Sequence, residues 1–223
     1  MKKLLTILCL VLLVSCSNEV PDDKLVYRNG LYYEVNSTTP FTGQSVSYWR
    51  DFELSENSDL VVVEEIRERI SYRNGKRDGL HEWFYENGQR RFRGYDKNWK
   101  GDGLSEYYLE NGDLHYRCNY KDGKEDGLWV RFHKKGQLES RGNYSNGKRD
   151  GLWEEFHDNG QLEVRENYRD GKKEGLQESF HWNGELWRRE NYKDGQREGL
   201  REEFDKEGNL TGTEEYKDGK LIE

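Results

Sequence analysis

The chain has 223 residues, of which 32% are hydrophobic and 36% charged, against about 45–50% and about 25% in an average globular domain. So little apolar material excludes a thick globular core, while 13% aromatic residues in strict repetition exclude a disordered chain. A formal net charge of −8 speaks against a nucleic-acid partner, because phosphate backbones are held by basic surfaces.

In chain order, Lys2 and Lys3 precede a largely apolar run over residues 4–14, too short to span a bilayer. Residues 1–15 therefore read as a secretory signal peptide. Its end, Leu13-Val14-Ser15-Cys16, resembles a bacterial lipobox. Cys16 is the predicted lipidation site, where each buried acyl methylene contributes about 0.8 kcal/mol of membrane affinity. Residues 16–24 form the expected tether, and loss of Lys2 and Lys3 takes the charge from −8 to −10. The expected location is the cell envelope, lipid-anchored, at the outer membrane in a diderm. Cys9 leaves with the leader and Cys16 carries lipid, so Cys118 has no partner for an intrachain disulfide. It reads as a small side chain filling its register, where the equivalent positions hold Gly94 and Gly142.

Residues 25–71 read as a capping region. Residues 25–43 are a degenerate first unit, with Tyr27-Arg28-Asn29-Gly30 echoing Tyr72-Arg73-Asn74-Gly75. Residues 44–72 are an enlarged hairpin with its loop at 55–59. Terminal repeats depart from the pattern because they close the stack.

From residue 72 to 223 the chain repeats every 24 residues. Gly-Leu recurs at Gly79, Gly103, Gly127, Gly151, Gly175 and Gly199, and a second glycine keeps step at Gly88, Gly112, Gly136, Gly160, Gly184 and Gly208. Between them lie strand-like runs separated by turns such as Asn159-Gly160 and Asp170-Gly171, a strong hairpin signal because these residues tolerate positive φ. A three-residue turn with a glycine bulge sets Phe156 opposite Leu162. Alternation along the strands then predicts one buried side holding Leu152, Phe156, Leu162 and Tyr168, repeated by Leu128, Phe132, Leu138 and Tyr144 and by Leu176, Phe180, Leu186 and Tyr192.

Charged groups also recur: Glu82, Glu106, Glu154, Glu178 and Glu202, and Arg93, Arg117, Arg141, Arg165 and Arg189. Catalysis needs one asymmetric constellation, so such ladders read as structural. The face assignment puts Glu154 and Arg165 on opposite sides, which predicts no direct pairing. His133, His157 and His181 share one register, but equivalent residues two strands apart are separated by about 9.6 Å. Two histidines on one zinc need nitrogens within about 4 Å, so no metal is expected. Asp122 and Asp126 read as turn chemistry, and no P-loop, nucleophile elbow or His-Glu-x-x-His motif occurs. Neither an enzyme nor a cofactor is expected.

The other side of the sheet varies between units, and a surplus of Trp, Tyr and Arg there is the composition of recognition surfaces. The candidate partner-binding residues are Trp83, Tyr107, Trp129, Arg131, Trp153, His157, Trp187 and Arg189. A solvated face with scattered aromatics is the competing reading.

The unit Tyr-x-Asp-Gly-Lys-x-x-Gly-Leu-x-x-x-Phe-x-x-Asn-Gly-x-Leu over residues 72–219 resembles the MORN-repeat variant of bacterial antitoxin-like proteins in toxin–immunity modules. It departs from that pattern at residues 95–101, where the turn glycine is displaced. The resemblance implies a stacked-hairpin sheet and an immunity role against a toxin. The expected fold is all-β, an elongated single-layer antiparallel sheet of stacked 24-residue β-hairpin repeats, about 58 Å long for about twelve strands at about 4.8 Å spacing. The expected function is a membrane-anchored scaffold binding a protein partner, an immunity protein occluding a toxin. The alternative is an envelope glycan or peptidoglycan binder.

Overall fold

The computed structural model describes residues 19–54 and 60–222; the leader, Cys16 and the loop at 55–59 lie outside the described residues. A single 19-stranded sheet runs the length of the molecule, with a separate two-stranded hairpin near its N-terminal end. Pairing follows chain order and is antiparallel, except that Glu19–Pro21 lies parallel to Gly43–Leu54. Residues expected in the tether thus add a strand to the sheet.

Two turn types alternate, each set by local residue chemistry. Asp170 and Gly171 both have positive φ (51° and 82°) and join Leu162–Arg169 to Lys172–Lys173 in a two-residue turn, the hairpin form whose twist suits antiparallel strands. At the other end His157 N–H donates to Gln161 O and Gly160 N–H to His157 O. This longer turn sets Phe156 directly opposite Leu162, as expected.

Two irregularities then rearrange the faces. Glu163 bulges out between the pairs Phe156–Leu162 and Glu155–Val164, so the alternation reverses after Leu162. Tyr168 therefore lies on the side of Trp153, not of Leu152. Arg165 faces Glu154 directly, contrary to the expectation that they point apart. The second irregularity is at Gly151-Leu152, where Lys148–Phe156 carries extra residues between the pairs Asn143–Asp150 and Arg141–Glu154. Gly151 has φ 77°, and its equivalents run up to 118° at Gly79. A side chain at this φ is strained, which is why glycine recurs there.

The strand bends at this corner, and the expected burial is inverted. Arg149, ahead of the bend, lays its guanidinium 4.1 Å from the Trp153 ring, with Tyr144 and Tyr168 edge-on to the same indole. Trp153 is 1% exposed, whereas Leu104, Leu128, Leu152, Leu176 and Leu200 on the outer side of the corner are 37–47% exposed. The inner angle of the bent hairpins is thus the core, and the recurring leucines lie outside it. Cys118 is a buried free thiol there, paired in register with Ser105 and Trp129.

Bonds between units explain the constant period. Gly123, Gly147, Gly171, Gly195 and Gly219 each donate a backbone N–H to a carbonyl of the preceding unit at 2.7–3.0 Å. His133, His157 and His181 donate from Nε2 to the carbonyls of Phe156, Phe180 and Phe204 in the following unit. Asn87, Asn159 and Asn183 reach the next turn in the same way. Adding or removing one residue would put every donor out of step.

The N-terminal hairpin, Leu25–Arg28 and Leu31–Glu34, joins this system. Tyr32 N–H donates to Gly75 O, and Gly75 N–H donates to Phe41 O. Phe41, Ile70 and Tyr72 form the buried cluster beneath it. Trp99 occupies the displaced turn-glycine position at φ 75° and packs its ring on Tyr27, Tyr32 and Tyr72.

Candidate functional site

Two ladders cross the strands. On the outer side, register neighbours alternate Arg69, Glu82, Arg93, Glu106, Arg117, Val130, Arg141, Glu154, Arg165, Glu178, Arg189 and Glu202. Glu154 is buried between two arginines, 2.6 Å from Arg141 and 3.2 Å from Arg165. Val130 interrupts the alternation. This ladder neutralises itself and carries no asymmetric constellation.

On the inner side, a column of ring contacts runs through His81, Trp83, Phe92, Tyr107, Tyr116, Trp129 and Trp153, with Tyr107 and Tyr116 stacked at 4.2 Å. Beyond Trp153 the equivalent positions hold Gln177 and Arg201, and buried glutamates take over. Glu166 meets Lys173 at 2.7 Å and accepts from the Tyr168 hydroxyl; Glu190 meets Arg197 at 2.8 Å and accepts from the Tyr192 hydroxyl. Burial pushes the Tyr168 phenol up to about 12, helped by its carboxylate neighbour.

His81 is a singular feature at the start of this column. Its Nε2 lies 3.0 Å from Glu68 Oε1 and its Nδ1 3.3 Å from Asp96 Oδ2, with the ring buried. The Trp83 indole N–H donates to the same Glu68 oxygen at 2.6 Å. Burial works against the imidazolium, but the two carboxylates outweigh it and hold the His81 pKa above the ordinary value. Among the described residues no cluster of three or more His, Cys, Asp or Glu side chains is placed to hold a metal.

The eight candidate recognition residues separate into four groups. Trp153 is in the core, its indole N–H donating to Asn143 O, so it is removed from any recognition surface. Arg189 lies on the outer side opposite Glu178, because the Trp187 bulge reverses the alternation between Leu186 and Arg188. Trp129 and Tyr107 are half-buried in the ring column, and Arg131 pairs with Glu139 at 3.2 Å. Trp83, Trp187 and His157 line open depressions on the inner side.

The larger of these two depressions has a cavity volume of about 430 Å³ and is lined by His157, Glu163, Val164, Gln177, Ser179, Phe180, His181, Trp187 and Arg188. It forms because the ring column ends: Val164 and Ser179 sit at positions where earlier units hold Tyr116 and Tyr107, leaving space at the floor. Ser179 and Arg188 are directly paired across strands, and Gln177 lies two residues from Ser179 on the same side. The Ser179 hydroxyl makes no hydrogen bond among the described residues although the residue is 4% exposed. Gln177 accepts from Lys173 through Oε1, leaving its amide N–H groups unfilled. Sequence reasoning missed Gln177, Ser179 and Arg188. Their signal is a change to smaller or polar residues at positions that carry rings in the earlier units.

The model of the MORN repeat variant matches six segments, residues 77–96, 101–122, 125–146, 149–170, 173–194 and 197–218. No curated protein matches the chain.

Proposed function

Since the chain belongs to the MORN repeat variant family, we propose that it is a non-catalytic, membrane-anchored scaffold that binds a protein partner in its inner-side groove, as an immunity protein that occludes a toxin. The observation that carries this reading is the groove itself. A floor built by repeat stacking places the unfilled polar groups of Ser179 and Gln177 in one depression with the exposed Trp187 ring. Aromatic and arginine side chains around a partly desolvated depression are the usual anchors of protein recognition. Anchoring rests on the lipobox-like Leu13-Val14-Ser15-Cys16. Its check is incorporation of a labelled fatty acid by the wild type and loss of that label in Cys16→Ser.

An envelope glycan is the second reading, favoured by Trp187 lying open as a stacking platform beside polar groups. Affinity capture from envelope extract, set against sedimentation with purified peptidoglycan, separates the two. Specific capture of one protein, lost in Trp187→Ala, supports the scaffold. Sedimentation with cell wall and no captured protein supports the glycan reading and ends the first.

A further inference from the structure

We propose that the groove at Ser179, Gln177 and Arg188 is a carboxylate-binding site, which, on the protein-partner reading above, receives an acidic side chain or a C-terminal carboxylate of the partner. The donors are preset and adjacent. Arg188 faces Ser179 across the strand pair, and Gln177 follows on the same side. Arg188 Nε is buried and makes no hydrogen bond; its nearest carboxylate is Glu190 Oε1 at 3.6 Å.

The neighbouring acids all have other partners, and Glu190 is shared with Arg188. Glu190 is held by Arg197 at 2.8 Å and by the Tyr192 hydroxyl. Glu203, opposite Arg188 in register, is bound by Arg201. Glu163 on the far wall lies 3.6 Å from His157. The two terminal guanidinium nitrogens of Arg188, the Ser179 hydroxyl and the Gln177 amide thus remain as donors. A planar carboxylate matches them, because a guanidinium binds it bidentately and charge-assisted hydrogen bonds are the strong ones. The Trp187 ring, with Arg188 stacked at 4.7 Å, forms the apolar rim over which the ligand's stem would lie.

The test uses the mature protein and two probe pairs, N-acetyl-glutamate N-methylamide against its glutamine isostere and N-acetyl-alanine against N-acetyl-alanine amide, followed by NMR at the Trp187 indole and the Ser179 amide. At least one acidic probe is expected to bind about tenfold or more tightly than its neutral isostere, the scale of a charge-assisted contact. The pair that discriminates identifies side-chain or terminal carboxylate as the source. Arg188→Gln removes the preference, whereas Arg189→Gln, on the outer side, keeps it. Unchanged Trp153 resonances confirm that each variant is folded. Equal binding of acid and isostere, or a preference that survives Arg188→Gln, overturns the proposal. The carboxylate site and the protein-partner reading fail separately. Acid selectivity with no captured protein removes the partner and leaves the site, and a captured protein without acid selectivity does the reverse.

Discussion

Trp153 lies directly over Gly142, so closely that a Cβ at position 142 would sit 2.2 Å from the indole Cδ2. The ring cannot move aside, since Arg149 and two tyrosines enclose it. Gly142→Ala is expected to destabilise the protein by at least about 2 kcal/mol through overpacking. Trp153→Ala is expected to cost about 3–5 kcal/mol. Leu152→Ala, at an exposed corner, is expected to cost below about 1 kcal/mol. Urea denaturation of the three variants checks the order, and a larger loss at Leu152 than at Trp153 would contradict it.

Glu154 answers two arginines, and the unit before it shows what can replace it. Val130 holds the same rung and is buried. Arg141 and Arg165 keep about half of their side-chain surface in water, so neither becomes a buried orphan when the carboxylate is lost. Glu154→Val is therefore expected to change stability by less than about 1 kcal/mol, as exchanges of buried ion pairs for apolar residues often do. Glu154→Ala, which also leaves a void, is expected to cost about 1–3 kcal/mol. Denaturation midpoints distinguish these outcomes, and equal losses would show that the charge itself matters.

His81 makes stability depend on pH. Its folded pKa is raised above 6.5, because contacts with Asp96 and Glu68 outweigh burial. Glu68 is lowered despite its own desolvation, through hydrogen bonds from His81 and Trp83. A raised folded pKa means that the stabilisation is complete below the unfolded value and disappears as pH rises through the folded one. Stability is therefore expected to fall from pH 6 upward through the folded His81 pKa, and in His81→Gln this slope should vanish. A wild type that gains stability over that window would contradict the assignment.

At the N-terminal cap, a side chain stands where the pattern wants glycine. Trp99 has φ 75°, a strain of about 1–3 kcal/mol for a non-glycine residue, and in exchange its ring covers Tyr27, Tyr32 and Tyr72. Trp99→Gly relieves the turn but uncovers this cluster. Hydrogen exchange at the Tyr32 N–H, which is bonded to Gly75 O, should accelerate while Gly171 is unaffected. Unchanged exchange at Tyr32 would show that the ring does not hold the hairpin.

What the sequence made legible is what short-range chemistry determines. Asn159-Gly160 specifies its turn, and with it the Phe156–Leu162 pairing. The register of Cys118 beside Gly94 and Gly142 followed from phase alone. The bulge at Glu163, at the start of its strand, has no residue signature, yet one extra residue moves Tyr168 to the inner side and brings Arg165 to Glu154. Gly151 was visible as a marker of phase, but not as a bend with positive φ. The rule that constant positions are buried and variable ones exposed failed for that reason. Leu152 recurs at the outer side of the corner, while Trp153 varies between units because core volume changes along the column. The groove at Ser179 was hidden for the same cause, since it exists only where inward rings give way to smaller residues.

The bend at each Gly-Leu corner supports both the core and the groove, and thiol labelling tests it most directly. In the chain without residues 1–18 and with Cys118→Ser, a Leu152→Cys thiol is expected to react within about tenfold of its rate in the unfolded chain. Protection by about a thousandfold or more, the signature of a group released only by opening of the core, would place Leu152 inside and contradict the bent hairpin.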